Sequence, residues 1–195
     1  PPLTVGGHAA DVSQAQRRVY KKHEQMIGQA KLGLAGYQGA ANAFVKLWQK
    51  NRARYEKVAA QTGVPAKLIA AIHMRESSGN FHTYLHNGQP LGKPTTITPV
   101  GKFFTNWEDA AVDALKMQKS IRAGLKMNEK TTDMAAMATF AERYNGMGYD
   151  KRGRVSPYVY AGTDRYHGGK YDRDGHFNPN LKDQQLGVVA MLELI

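Results

Sequence analysis

The chain has 195 residues, of which 42% are hydrophobic and 22% are charged. This composition is typical of a globular protein, and it excludes disordered, collagen-like and low-complexity chains. Cysteine is absent, which excludes disulfides, thiolate chemistry and zinc held by cysteine. No apolar run approaches the roughly 18 residues of a membrane-spanning helix. Pro1–Gly7 has neither a basic start nor an apolar stretch, so no secretory signal is expected in this chain.

The net charge of +11 comes from 27 Lys and Arg against 16 Asp and Glu. Residues 13–60 carry ten of the cations and two carboxylates, a local net charge of +8. Such a chain is attracted to polyanions, among them nucleic acid, anionic membranes and the bacterial envelope. Two interpretations of the basic segment stay open. In the first, the segment binds the anionic bacterial cell wall and so concentrates the protein there. In the second, it is the solvated face of helices that pack on the rest of the chain.

The N-terminal part of the chain, 11–62, has a mostly helical pattern. Val12, Val19 and Met26 recur at seven-residue spacing, and a second helix is predicted over about 42–61. From Gly63 onwards the signals are stronger. The sequence therefore predicts two parts: a basic helical segment over residues 1–50, of unassigned function, and a larger domain over residues 51–195.

A helix is predicted over 65–78, with Pro65 at its first position. Helical periodicity places Glu76 on the apolar face, between Ile69 and Ile72. Removal of a carboxyl group from water raises its pKa, which suits it to donate a proton near neutral pH. The alternative is a structural Glu at a helix end, paired with a neighbouring cation such as Arg75.

The remainder alternates between helices and irregular segments. Residues 80–105 are rich in Gly and Pro and predict a loop with a short hairpin. A capping box formed by Thr105 and Glu108 predicts a helix to about Ala123. Another helix is predicted from Thr132 to Tyr144, closed by a left-handed cap at Asn145-Gly146. Residues 146–182 show no helical period, and Asp183 is predicted to cap a final helix that reaches Ile195. The expected fold class is mainly α, with two irregular or short β insertions.

Other motifs in the chain give weaker signals. His73 and Glu76 have the spacing of a metal pair but no third ligand follows, so no metal and no cofactor are expected. Asp172–Gly175 begins like a calcium loop and lacks its later ligands, which predicts a turn. The C-terminal third is rich in tyrosines, which either pack the loops or stack on a sugar or base: Tyr144, Tyr149, Tyr158, Tyr160, Tyr166 and Tyr171.

Two segments resemble motifs of the lysozyme superfamily, in particular of lytic transglycosylases and goose-type lysozymes. Ile72–Phe81 is similar to the segment in which a helix ends with a catalytic Glu followed by Ser, and Ala141–Tyr149 is similar to the Ala-Tyr-Asn-x-Gly segment. Phe81–Leu91, Ser156–Gly162 and Gly169–Tyr171 resemble a phage and bacterial branch of peptidoglycan muramidases. The resemblance covers roughly 63–195. The Gly-Leu-Met-Gln motif that usually follows the Glu in transglycosylases is missing.

The resemblance implies an α+β lysozyme-like fold in which the insertions form a glycan groove. It implies cleavage of the β-1,4 bond between N-acetylmuramic acid and N-acetylglucosamine in peptidoglycan, with Glu76 as the general acid. A hydrolase needs a second carboxyl group, for which Glu142 is the main candidate, ahead of Asp109 and Asp113; the alternative is that Glu142 is structural. The expected substrate-binding residues are Ser77, His82, His86, Asn87, Tyr144, Asn145, Tyr149 and Tyr158.

Two other functions stay open at this stage: a non-catalytic protein that binds the bacterial envelope on the same fold, and a basic nucleic-acid-binding protein. The enzyme that cleaves peptidoglycan is favoured over both of these functions, and nucleic acid is not an expected partner. The expected site of action is the bacterial cell wall, in the periplasm or outside the cell. A phage endolysin or a virion-associated lysin is the expected type of enzyme, and the route of export is not visible in the sequence.

Overall fold

The structure is a computed structural model that describes residues 11–195, so the expectations for Pro1–Ala10 lie outside the described residues. Helices dominate, which confirms the mainly α class. In chain order the elements are α1 (Gln14–Ile27), α2 (Gln38–Thr62), α3 (Ala66–Ser77), α4 (Trp107–Lys116), α5 (Lys119–Gly124), α6 (Met134–Asn145), α7 (Gly148–Lys151), α8 (Pro157–Tyr160), β1 (Lys170–Arg173), β2 (His176–Asn178) and α9 (Val188–Glu193).

The two N-terminal helices are part of the same core as the rest of the chain. α1 packs against α6, and α2 packs against α3 and α4. Tyr20 and Ile27 from α1 and Phe44 from α2 are completely buried in one apolar cluster that extends to α9. The expected boundary between residues 50 and 51 falls inside α2, which continues without a break to Thr62. The described chain therefore does not divide there, because the apolar face of α2 is shared by both sides of that boundary.

Helix α3 is the centre of this core. Five consecutive residues, 68–72, are fully buried, so this helix is covered on all sides along its middle. It contacts α2, α6 and α9. Burial ends in its last turn, where Ser78 takes a left-handed conformation with a φ of 56° and Gly79 follows with a φ of 77°. The side chains of this last turn therefore lie at the margin of the core.

Several predicted helix ends differ from those observed. The capping box at Thr105 was wrong: Asn106 is the N-cap of α4 and accepts a 2.9 Å hydrogen bond from the Asp109 amide. The helix predicted to reach Ala123 ends at Lys116, and α5 follows separately. The predicted left-handed cap after α6 was also wrong, because Gly146 has a φ of 121° and a ψ of 156°, outside the left-handed helical region.

Residues 146–182 are more regular than predicted, since they contain α7, α8 and a two-stranded antiparallel hairpin. The turn predicted at Asp172–Gly175 is confirmed, because it joins β1 to β2 and Gly175 takes a φ of 73°. Asp183 does not cap α9, whose N-cap is Gly187; the Asp183 side chain is buried and binds Arg75. In the part of the chain that the structure describes, no helix has the length and apolar character to cross a membrane.

Candidate active site

Glu76 lies in the last turn of α3, where the fully buried helix meets the surface. Burial raises the pKa of Glu76, against the opposing effects of a hydrogen bond from Tyr158 and the charge of Arg75. Arg75 itself points elsewhere, because its guanidinium forms a 2.9 Å ion pair with Asp183. Glu76 has no salt bridge within residues 11–195, which argues against the structural alternative of a Glu paired with Arg75. A raised pKa makes Glu76 easier to protonate than an exposed carboxyl group, which suits it to donate a proton.

Tyr158, from α8, holds one oxygen of Glu76. Its hydroxyl donates a 2.9 Å hydrogen bond to Glu76 Oε1, and its ring lies under the Arg75 guanidinium at 4.9 Å. Burial raises the pKa of Tyr158 well above its ordinary value, so the phenol keeps its proton and acts as the donor. Only 4% of Tyr158 is exposed. The structure therefore places Tyr158 behind Glu76, and not on a wall where the predicted contact with a sugar would occur.

A cavity of about 220 Å³ opens beside Glu76. Asn145 is exposed at its edge, and the ring of Tyr144 forms part of its wall while the Tyr144 hydroxyl donates a 2.8 Å hydrogen bond to the Leu85 carbonyl. Glu76 is the only carboxylate among the described residues that line this cavity. The lining residues are Glu76, His86, Pro99, Ala114, Met117, Gln118, Tyr144 and Asn145.

His86 links the cavity to α4. Its Nε2 lies 2.7 Å from Asp113 Oδ2, and Lys102 Nζ lies 3.0 Å from the same oxygen. The imidazole is stacked on Phe104 and only 1% of its side chain is exposed. The neighbouring carboxylate favours the tautomer in which Nε2 donates, which leaves Nδ1 without a hydrogen-bond partner among residues 11–195. Asp113, one of the lesser candidates for a second acid, is thus bound by His86 and Lys102, and it does not line the cavity.

Glu142, the main candidate for the second acid, lies on the other side of α6. Its side chain is 1% exposed and accepts hydrogen bonds from Lys22 at 2.7 Å and His23 at 2.8 Å, both from α1. Burial pushes the pKa of Glu142 upwards, but the hydrogen bonds and charges of His23 and Lys22 outweigh this effect and lower it. Glu142 does not line the cavity of Glu76. This position favours the structural alternative, in which Glu142 ties α6 to α1.

Four of the other predicted substrate-binding residues lie outside the cavity lining. The hydroxyl of Ser77 donates a 3.4 Å hydrogen bond to the carbonyl of Asn80, and His82 is exposed on the following loop. Asn87 donates a 3.0 Å hydrogen bond to the Ile97 carbonyl, so it shapes the 80–105 loop. Tyr149 is buried under the hairpin, where its hydroxyl accepts a hydrogen bond from the Tyr171 amide. His86, Tyr144 and Asn145 line the same cavity as Glu76, whereas these four residues do not.

Four cavity residues were missed by sequence reasoning: Pro99, Ala114, Met117 and Gln118. They contribute apolar surface and one amide, which are residue types without a catalytic signature. The pairing of His86 with Asp113 was also missed, since 27 positions separate the two residues in the chain. No local pattern could have indicated either feature, because both depend on how the 80–105 loop folds against α4.

Within residues 11–195, no group of three or more His, Asp or Glu side chains has the geometry of a metal site. His73, considered above as half of a metal pair, is fully buried between Tyr55, whose hydroxyl lies 2.8 Å from Nδ1, and the Asn80 carbonyl, 2.9 Å from Nε2. Burial lowers the pKa of His73 to about 4. The imidazole is therefore neutral and belongs to the aromatic core.

Comparison of the chain with protein-family models, with curated proteins and with solved structures finds no match.

Proposed function

We propose that this protein is a peptidoglycan glycosidase that cleaves the β-1,4 bond between N-acetylmuramic acid and N-acetylglucosamine on a lysozyme-like fold. The observation that carries the proposal is the position of Glu76: a carboxyl group with a raised pKa, free of salt bridges in the described chain, at the wall of a cavity. That is the setting of a general acid. The resemblance of Ile72–Phe81 to a Glu-Ser motif supports the same residue independently of the geometry.

The cavity favours a reaction that needs one carboxyl group. Glu76 gives its proton to the glycosidic oxygen as the bond from that oxygen to C1 breaks, and the N-acetyl group of the muramic acid assists at C1. The resulting carboxylate then takes the proton of the C6 hydroxyl, and O6 bonds to C1 to close a 1,6-anhydro ring. No water and no second carboxylate enter this sequence, which is that of a lytic transglycosylase.

The hydrolytic alternative, a muramidase, needs a group that activates water. Glu142 is held by α1, and Asp113 is held by His86 and Lys102, so neither carboxylate reaches the cavity directly. We therefore favour the transglycosylase reaction. Around Glu76, Tyr158 positions the carboxyl group, while Tyr144 and Asn145 contact the sugar.

The charge of the chain fits an anionic wall as its partner. The basic segment of α1 and α2 exposes cations such as Lys21, Lys46, Lys50 and Lys57. In this proposal the enzyme acts on the cell wall, in the periplasm or from outside, as a phage endolysin or virion-associated lysin. The second candidate function is a non-catalytic protein that binds the cell envelope on the same fold, which the net charge of +11 also suits.

One experiment separates these possibilities. Purified sacculi are incubated with the protein, turbidity is followed, and the released muropeptides are examined by mass spectrometry. A fall in turbidity with 1,6-anhydro ends is the expected result. Reducing ends would assign hydrolysis and overturn the single-carboxylate reaction. Binding to sacculi without release of muropeptides would assign the non-catalytic function.

A further inference from the structure

Most arginines of the described chain are held by oxygen atoms of the protein itself. Arginines that donate to a carboxylate, a carbonyl or an amide oxygen are Arg17, Arg18, Arg52, Arg54, Arg75, Arg122, Arg143 and Arg165. Within residues 11–195, the arginines that bind no such oxygen are Arg152, Arg154 and Arg173. All three are exposed, and they lie between the end of α7 and the end of β1. Unused arginine donors are therefore concentrated in one part of the chain.

Arg152 and Arg154 lie over the aromatic side chains of the β1–β2 hairpin, and we call these two residues the arginine pair. The guanidinium carbon of Arg152 is 5.5 Å from the ring centre of Tyr171 and 5.6 Å from that of Phe177, and the guanidinium carbon of Arg154 is 5.2 Å from the Phe177 ring centre. Cations are attracted to aromatic rings at such distances. Arg152 Nε also donates a 2.9 Å hydrogen bond to the Tyr171 hydroxyl. The other guanidinium N–H groups of the pair have no acceptor among the residues that the structure describes.

The rings under the arginine pair are fixed by the fold. Tyr171 and Phe177 are partners across β1 and β2, and their ring centres are 5.6 Å apart. Tyr149, which is buried, packs against both rings, and its hydroxyl accepts a hydrogen bond from the Tyr171 amide. Gly169 approaches Phe177 so closely that an added Cβ would lie 2.7 Å from Phe177 Cζ. The pair is thus attached to packed rings, which lowers the entropy cost of ordering its side chains when a ligand binds.

The carboxylates of this part of the chain do not neutralise the arginine pair. Asp150 is bound to two cations of α1, at 2.6 Å and 2.8 Å. Asp164 accepts a hydrogen bond from a backbone amide that follows α1, and Asp172 is bound to His176 at 2.6 Å. Asp174 is exposed in the hairpin turn, and within residues 11–195 it forms no ion pair with either member of the pair. Two adjacent positive charges therefore remain for an anion from outside the described chain.

We propose that the arginine pair binds the phosphodiester groups of an anionic polymer of the bacterial envelope. The choice of an envelope polymer rests on the proposed function, whereas the anion site rests on the geometry alone. Guanidinium groups bind phosphate through paired N–H donors, and the non-bridging oxygens of one phosphodiester or of successive ones meet both arginines. Single-stranded nucleic acid stacks its bases on open aromatic rings, but here guanidinium groups lie over the rings. The ligand that fits is a polymer with a phosphate in each repeat and no bases, such as poly(glycerol phosphate).

The test measures binding of the full chain to fluorescently labelled poly(glycerol phosphate) by anisotropy at one fixed ionic strength. The variant R152M/R154M removes both guanidinium groups and keeps apolar contact with the rings. K126M/K130M is the matched control, because it removes the same charge from two exposed lysines elsewhere. We expect Kd to rise about tenfold or more in R152M/R154M and about twofold or less in the control. R152K/R154K keeps the charge without the planar fork, so its Kd should lie between those of the wild type and R152M/R154M. This lysine variant also tests the site if the methionine variant does not fold, which circular dichroism shows.

Each contrary outcome has a separate meaning. Equal losses of affinity in R152M/R154M and K126M/K130M would show that net charge alone acts, and would overturn the site. Binding to poly-L-glutamate that is as tight, and as sensitive to R152M/R154M, would overturn the preference for phosphate. A loss confined to duplex DNA or to phosphatidylglycerol vesicles would assign the pair to nucleic acid or to a lipid surface, and would overturn the envelope polymer. Specific binding of poly(glycerol phosphate) by a protein that does not cleave sacculi would support the site and overturn the proposed glycosidase, so the two proposals fail separately.

Discussion

The hydroxyl of Tyr158 donates a hydrogen bond of 2.9 Å to Oε1 of Glu76, across 82 positions of the chain. Because the phenol keeps its proton, the bond stabilises the ionised form of Glu76 and opposes the rise in pKa that burial causes. The same contact fixes the carboxyl group at the cavity wall. Tyr158 is therefore a positioning residue that also sets how readily Glu76 releases its proton.

Tyr158→Phe should shift the pH profile of cleavage. A general acid works while it is protonated, so kcat/KM falls as the pH rises through the pKa of Glu76. Loss of the donor raises that pKa further, and the alkaline limb should move to higher pH. Tyr160→Phe is the matched control, since Tyr160 lies on the same helix and bonds His23, away from the cavity. An unshifted alkaline limb in Y158F would contradict the role assigned to this hydroxyl.

Glu76→Gln should abolish cleavage while leaving the fold intact. General acid catalysis contributes about 10²–10⁴-fold, and no other carboxyl group lines the described cavity. Turbidity assays measure the activity, and circular dichroism with thermal melting measures the fold. Glu129→Gln, a change of the same charge at an exposed position, serves as the control. Retention of more than about a tenth of wild-type activity by E76Q would contradict the assignment, given that expected magnitude.

Glu142→Gln should lower stability and leave the chemistry largely in place. The substitution removes the charge that holds Lys22 and His23, and a weakened buried hydrogen-bond network costs about 1–3 kcal/mol of unfolding free energy. Turnover should fall by a few-fold at most. Lys22→Met removes the same ion pair from the other partner and should produce a similar loss of stability. If E142Q lost roughly 10²-fold in turnover at unchanged stability, with reducing-end products, a two-carboxylate muramidase would be the better assignment.

The stability of the fold should decrease between about pH 6.5 and about pH 4 through His73. The pKa of His73 is lowered from 6.5 to about 4 in the folded state, so in this interval the unfolded chain binds the extra proton. Unfolding free energy then falls as the pH falls, by about 3 kcal/mol in total for this group. The measurement is urea denaturation at pH 7.5 and pH 4. Other groups titrate in the same interval, so the comparison is with His73→Gln, which should lose less stability on acidification than the wild type.

Salt should weaken attachment to the cell wall more than it weakens the chemistry. Above roughly 0.3 M salt the screening length drops below about 6 Å, which reduces the attraction of a cationic protein to an anionic polymer. The rate on short soluble glycans should change little. A variant with Lys46, Lys50 and Lys57 changed to Gln tests whether the α2 face is responsible. The matched variant changes Lys126, Lys151 and Lys182, and equal loss of binding by both variants would assign the effect to net charge alone.

The sequence by itself determined the mainly α class, the helical character of the segment that contains α1, the approximate positions of α2, α3 and α6, and the placement of Glu76 on the apolar face of α3. These features follow from helical periodicity and from end signals such as Gly63, which takes a φ of 74° at the end of α2. They are local properties, so a window of one or two helical turns contains the information. The tyrosine-rich C-terminal third was also visible, but its role was not.

Only the tertiary structure decided which side chains meet. Glu142 is two residues from Tyr144 in the chain, yet Glu142 packs against α1 while Tyr144 lines the cavity from another face of α6. Tyr158 looked like a surface for a sugar and is instead buried behind Glu76. Asp183 has the residue type of a helix cap, but burial beside Arg75 uses its charge in an ion pair. In each case the deciding interaction joins residues distant in sequence, and its strength depends on burial, which no local pattern contains.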